Sequence, residues 1–158
     1  MLDRIQQEIK QAMRGKEKQR LTVLRSLLND LKNAGIDKKG AQGLTDEVGS
    51  PAEYLEEAEM TKVVQAAAKR RRESTEQYRA GGREDLAAAE EAELAILEEF
   101  LPQPLSDEEV AAMVEAAVTE TGAAEMADMG RVMKLLTERA AGRADGKALS
   151  AAVRARLG

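Results

Sequence analysis

Apolar residues in this chain recur every three or four positions, and no stretch alternates apolar with polar over six or more residues. A spacing of 3.6 builds one buried stripe along a helix, whereas a half-buried strand needs a spacing of two, so the pattern predicts an all-α, multihelical protein. The available side chains agree. Tyr54, Tyr78 and Phe100 are the only aromatics among 158 residues. The core must therefore be built from Leu, Val, Ile, Ala and Met, which suit a helix bundle better than a β-sandwich.

The spacing predicts a first helix over about Leu2–Met13, interrupted at Gly15. A second, over about Lys16–Ala34, aligns Leu21, Leu24, Leu27, Leu28 and Leu31 and stops at Gly35, a natural residue for the position after a helix end. Ile36–Gly49 carries Gly40, Gly43 and Gly49 among polar residues and reads as a surface loop. Ser50-Pro51-Ala52-Glu53 then combines a capping serine, a proline at the first helical position and a glutamate three residues after the cap. A helix starting there and running unbroken to Ala80 would be about 45 Å long at 1.5 Å per residue. That length predicts that it projects from a small core or bridges two parts. The next helix, over about Arg83–Leu101, ends at Pro102. Pro102-Gln103-Pro104 makes a stiff joint, so a boundary is expected between an N-terminal helical subdomain, 1–101, and a C-terminal three-helix subdomain, 102–158. In the latter, Ser106-Asp107-Glu108-Glu109 opens a helix that ends at Gly122, and helices over about Met126–Ala140 and Gly146–Leu157 follow.

Composition removes most familiar chemistry. The chain has no cysteine and no histidine, hence no disulfide, no thiolate nucleophile, no imidazole base and none of the commonest zinc ligands. No catalytic residue, metal site or cofactor is assigned. Glu90, Glu91 and Glu93 read as a solvated helix face. Apolar runs fall far short of the roughly 20 residues a membrane helix needs, and MLDRIQQEIKQAM has no apolar signal-peptide segment, so a soluble cytoplasmic protein without membrane contact is expected.

Charge is segregated although the total, 24 basic against 29 acidic residues, is only −5. Met1–Leu44, Lys62–Arg83 and Met129–Gly158 are each +5, and the segments between them are acidic. Local basic patches govern affinity for nucleic acids. Two candidate surfaces follow: Arg131, Lys134, Arg139, Arg143, Lys147, Arg154 and Arg156 on the C-terminal helices, and a stripe of Lys62, Lys69, Arg72, Arg79 and Arg83 on the long helix. Arg71 falls instead on the apolar stripe of that helix, so it is expected to be a buried structural charge with a partner. Gly142-Arg143-Ala144-Asp145-Gly146-Lys147 offers a sharp turn, a helix start and two cations, a weak phosphate-binding pattern that lacks the Gly-Lys-Ser/Thr ending of a nucleotide loop.

Several longer stretches resemble the YqeY-like proteins: Lys69-Arg-Arg-Arg-Glu-Ser-Thr-Glu-Gln-Tyr-Arg-Ala-Gly81, Glu90 through Glu109 with Phe100-Leu-Pro-Gln-Pro, Asp128-Met-Gly-Arg-Val-Met133 and Gly142-Arg-Ala-Asp-Gly146. The resemblance covers almost the whole chain. It departs at Ile36–Gly49, which is longer than usual, and at Pro104, where these proteins usually carry glutamine, lysine or a similar residue. The resemblance implies a C-terminal unit similar to the tail domain of the GatB subunit of tRNA-dependent amidotransferase, a domain that contacts the tRNA body while ammonia is made and transferred elsewhere. This chain would then be the appendage without the catalytic cradle. The amidase constellation of two serines and a lysine is not supplied by Ser26, Ser50, Ser74, Ser106 or Ser150, none of which has another serine nearby.

Three functions follow as expectations. The first is a non-catalytic tRNA-binding module that reads RNA shape and backbone, because three aromatics are too few for base stacking; no DNA binding is expected. The second is a protein-interaction module that docks on an amidotransferase or an aminoacyl-tRNA synthetase through the long helix. The third is a carbon–nitrogen ligase with glutamine as amido donor, disfavoured by the lack of a nucleophile–base pair.

Overall fold

A computed structural model describes residues 1–158 and contains seven α-helices and two short 3-10 turns, with no strand. The chain is all-α. It divides into two units, Met1–Leu101 and Pro102–Gly158.

The first unit contains α1 (Leu2–Gly15), α2 (Lys18–Gln42), α3 (Glu57–Ala80) and α4 (Glu84–Glu98), with a 3-10 turn at Pro51–Tyr54. Its core joins Ile5 of α1, Val23, Leu24, Leu27 and Leu31 of α2, Val64, Ala67 and Ala68 of α3, and Leu97 and Phe100 at the end of α4.

Gly35 does not stop α2. The helix runs on to Gln42 and ends at Gly43, whose φ of +63° supplies the left-handed turn. Gly35 is glycine for another reason: the backbone of Pro51 lies against it, and a Cβ there would sit 1.9 Å from the Pro51 carbonyl oxygen. Half of the stretch expected to be a loop, Ile36–Gln42, is thus helical, and the residues from Gly43 to Ser50 connect the elements.

The Ser50-Pro51 signal opens the short 3-10 turn, not the long helix. The Ser50 hydroxyl is buried without a partner and caps nothing. α3 starts at Glu57 under a different capping box, formed by Glu56 and Glu59, and is 24 residues long. It neither projects nor bridges. Met60, Val64, Ala67, Ala68 and Thr75 are buried along its length, and it packs on α4 and α2 within the same unit.

Polar fastening completes this unit. Arg20 donates to both carboxylate oxygens of Glu99, at 2.9 and 2.7 Å, and also pairs with Glu8. Arg4 donates to the Glu99 carbonyl at 2.9 Å and lies 4.5 Å from the centre of the Phe100 ring. The end of α4 is therefore tied to both α1 and α2.

The second unit is a bundle of α5 (Asp107–Thr121), α6 (Met129–Ala140) and α7 (Gly146–Leu157), each packed on the other two. Val110, Val114, Ala117 and Val118 of α5 meet Val132 and Leu136 of α6 and Leu149 and Val153 of α7. The expected box at Ser106 is formed: its hydroxyl accepts the Glu109 amide at 3.2 Å, and Glu109 accepts the Ser106 amide at 2.8 Å.

Candidate nucleic-acid interface

α6 and α7 each bury one face and leave the opposite face to solvent. With Val132, Leu136 and Ala140 inward, a rotation of 100° per residue carries Arg131 and Lys134 outward. With Leu149 and Val153 inward, Lys147 and Arg154 fall together on the outer side, seven residues apart. The turn between the helices is made by Ala141 and Gly142, whose φ values of +45° and +79° reverse the chain, and Asp145 caps α7 by accepting the Lys147 amide at 3.0 Å.

The seven cations of this unit differ in what they have left to offer. Arg131 pairs with Asp128, Arg139 with Glu120 and Arg156 with Glu115. Arg143 is built into the fold: its Nε donates to the Gln103 carbonyl at 2.9 Å, its own carbonyl accepts the Leu105 amide at 2.7 Å, and its guanidinium lies 3.8 Å from Glu109. It holds the Pro102–Leu105 segment and is a poor candidate for an RNA contact. Lys134, Lys147 and Arg154 are exposed and lie outside every ion pair of the unit. The acidic partner Asp128, which sequence reasoning passed over, also accepts the Ala124 amide at 3.0 Å. That bond and Arg131 hold its carboxyl below the usual range. An aspartate at the entry to a helix was the available signal.

The stripe expected on the long helix is not the basic surface its sequence implied, and Arg83 is not on that helix: it lies past the end of α3, at the start of α4. Arg72 pairs with Glu98 at 2.7 Å, Arg79 with Glu91 at 2.6 Å, Arg83 with Asp85 at 2.9 Å and Lys69 with Glu73 at 3.8 Å. Only Lys62 of the five stands outside these pairs. The acidic α4 lies beside α3 and neutralises the stripe, so the basic block of Lys62–Arg83 is largely consumed inside its own unit.

Arg71 is half-buried and not sealed in the core. Its Nη1 is 3.0 Å from Glu90 and its Nη2 is 2.7 Å from Glu93, two carboxylates whose side chains are 17 % and 23 % exposed. Glu90 and Glu93 therefore are not a solvated face. They lie one helical turn apart, on the side of α4 that meets α3, where each end of one guanidinium meets its own carboxylate. On α3, Ala67 and Ala68 are buried and Ala66 is exposed.

No helix is long and apolar enough to cross a membrane.

A family model described as Yqey-like protein matches residues 2–157. Over 118 residues the chain is 30% identical to the altered inheritance of mitochondria protein 41, mitochondrial, of Lachancea thermotolerans; the match covers 73% of this chain and 57% of that protein. The chain thus spans little more than half the length of that relative.

Proposed function

Because the chain belongs to the YqeY-like protein family, matched from residue 2 to residue 157, we propose that it is a non-catalytic module that binds folded RNA, tRNA in particular, through the outer face of α6 and α7. The observation that carries this reading is the set Lys134, Lys147 and Arg154, exposed and unengaged on a unit whose other cations are held by its own acids. A free cation exchanges condensed counterions on RNA for itself at little cost, whereas a paired one must first give up its carboxylate. The resemblance of Pro102–Gly158 to the tail domain of GatB supports the same partner. Recognition would be of shape and backbone across grooves.

Docking on an amidotransferase or synthetase through the long helix is the weaker reading, since the arginines of α3 already face α4 acids. Carbon–nitrogen ligase chemistry stands behind both, for a chain without histidine or cysteine.

The test is fluorescence anisotropy of labelled tRNA against the full chain and its K134Q/K147Q/R154Q variant, across roughly 50–200 mM salt. Three backbone contacts predict that the variant binds more weakly and that the slope of log affinity on log salt becomes shallower by about 2 to 3. Wild-type affinity and slope in the variant would remove this face from the interface.

A further inference from the structure

The strongest unexplained charge in the molecule lies on α2. Lys18, Arg25, Lys32 and Lys39 follow one another at intervals of seven residues. Seven residues turn a helix by 700°, which returns each side chain to within about 20° of the one before. The four therefore form a straight ridge along one flank, rising about 10.5 Å per step and about 31 Å in all. Lys18, Arg25 and Lys39 are exposed and Lys32 is half-buried. None has a carboxylate within 4.0 Å, although most arginines elsewhere in the chain do.

The neighbours keep the ridge basic. Asp30 and Asp37, the acids of α2, project from its other flank, and Asp30 is paired with Arg70 at 2.7 Å. Arg25 lies 3.7 Å from the Met13 sulfur, which brings the last turn of α1, carrying the exposed Arg14, alongside. Lys39 lies 5.4 Å from the centre of the Tyr54 ring.

We propose that this ridge is a second nucleic-acid-binding surface, one that lies along the sugar–phosphate backbone of a double-helical segment of RNA. It uses different residues from the α6–α7 face, so either surface can fail without the other. Charge complementarity and length favour this occupant: a duplex presents a charge about every 1.7 Å of its axis, so a ridge of this length always has phosphates within reach. A membrane surface fits poorly. Helices that lie on membranes insert an apolar face, and Val23, Leu24, Leu27 and Leu31 of α2 are already spent in the core. An acidic protein partner also fits poorly, because stable interfaces centre on aromatic or apolar anchors in pockets. Between the ridge cations lie Thr22, Asn29 and Ile36, with the half-buried Leu21 and Leu28 beside them. The two exposed apolar side chains at the ridge, Ile36 and the Met13 that touches Arg25, are separated by about 16 Å along α2 and do not form one anchor.

The experiment compares the full chain with K18Q/R25Q/K32Q/K39Q and, separately, K147Q/R154Q, in anisotropy titrations against tRNA, a same-length single-stranded RNA, a same-length DNA duplex and vesicles of anionic lipid. Glutamine keeps helix propensity, and a wild-type circular dichroism spectrum confirms that the ridge variant is folded. The expected result is tRNA binding at least tenfold weaker in the ridge variant, with a salt slope shallower by about 3 to 4. The α7 variant should keep that ridge contribution. Wild-type tRNA binding by a folded ridge variant overturns the proposal while leaving the α6–α7 face in place. Equal affinity for the DNA duplex or single strand, or a ridge effect confined to vesicles, overturns the assignment to double-helical RNA. A chain that binds no RNA in 50 mM salt overturns both surfaces.

Discussion

Replacing Gly35 by alanine tests how the first unit is assembled. An added Cβ would lie 1.9 Å from the Pro51 carbonyl oxygen, 2.5 Å from its carbon and 3.1 Å from the Ala52 nitrogen, whereas real Cβ atoms stay at least 3.0 Å from such neighbours. α2 and the Pro51–Tyr54 turn must therefore part by about 1 Å. Both sides of the contact are backbone, so no rotamer change relieves it, and the fully buried Ala52 moves with the turn. Overpacking of this kind costs about 1–3 kcal/mol, and a backbone clash belongs at or above the upper end. Alanine in place of a helical glycine returns about 1 kcal/mol. The net loss is about 2 kcal/mol, or about 8–16 °C in Tm for a unit of this size. Gly40 lies on the same helix with nothing within 4 Å of its would-be Cβ. There the same change should stabilise by about 0.5–1 kcal/mol. Thermal unfolding followed by tyrosine fluorescence isolates this unit, because Tyr54 and Tyr78 both lie in Met1–Leu101. A Gly35→Ala protein that melts at or above wild type would refute the close-approach argument, since the propensity gain would then stand unopposed.

Three further outcomes are expected. Arg71→Met leaves Glu90 and Glu93 facing each other in a half-buried site and should cost about 1–2 kcal/mol in urea unfolding, after allowance for solvent screening; adding Glu90→Gln and Glu93→Gln should restore most of it, and no restoration would show that the loss is one of packing. Hydrogen bonds from Arg20 hold the Glu99 carboxyl below the usual range. Its contribution is thus full above the ordinary glutamate value, about 4.3, and fades as pH falls through its own lower value. Glu99→Gln should flatten that acid limb, and an unchanged limb in the variant would assign it to other carboxylates. Ser106→Ala removes the hydroxyl that caps α5 and should cost about 1 kcal/mol. Amide exchange in the first turn of α5 should quicken severalfold, and unchanged exchange there would mean that water replaces the cap.

The periodicity of Leu24, Leu27 and Leu31, and of Val110, Val114 and Val118, was enough by itself to determine an all-α chain, because a stripe at helical spacing can be buried in no other regular structure. The box at Ser106 and the glycine at Gly122 were legible for the same reason: a cap is made within a few residues of the chain, and its partners are written beside it. Gly35 and Ser50 carried signals just as strong and meant something else. A glycine that ends a helix and a glycine that lets another backbone pass look alike until Pro51 is seen against it. The charges divided along the same line. Which side chains are basic is a matter of composition, but whether an arginine is available depends on what packs against it. Arg72 and Arg79 lost their freedom to α4, and Arg143 lost its freedom to the Gln103 carbonyl. Lys18, Arg25, Lys32 and Lys39 kept theirs, and their seven-residue spacing was present in the sequence without showing that no acid would reach them. Helices follow from interactions between near neighbours. Free charge is what remains after distant parts of the chain have met, so only the tertiary structure could decide it.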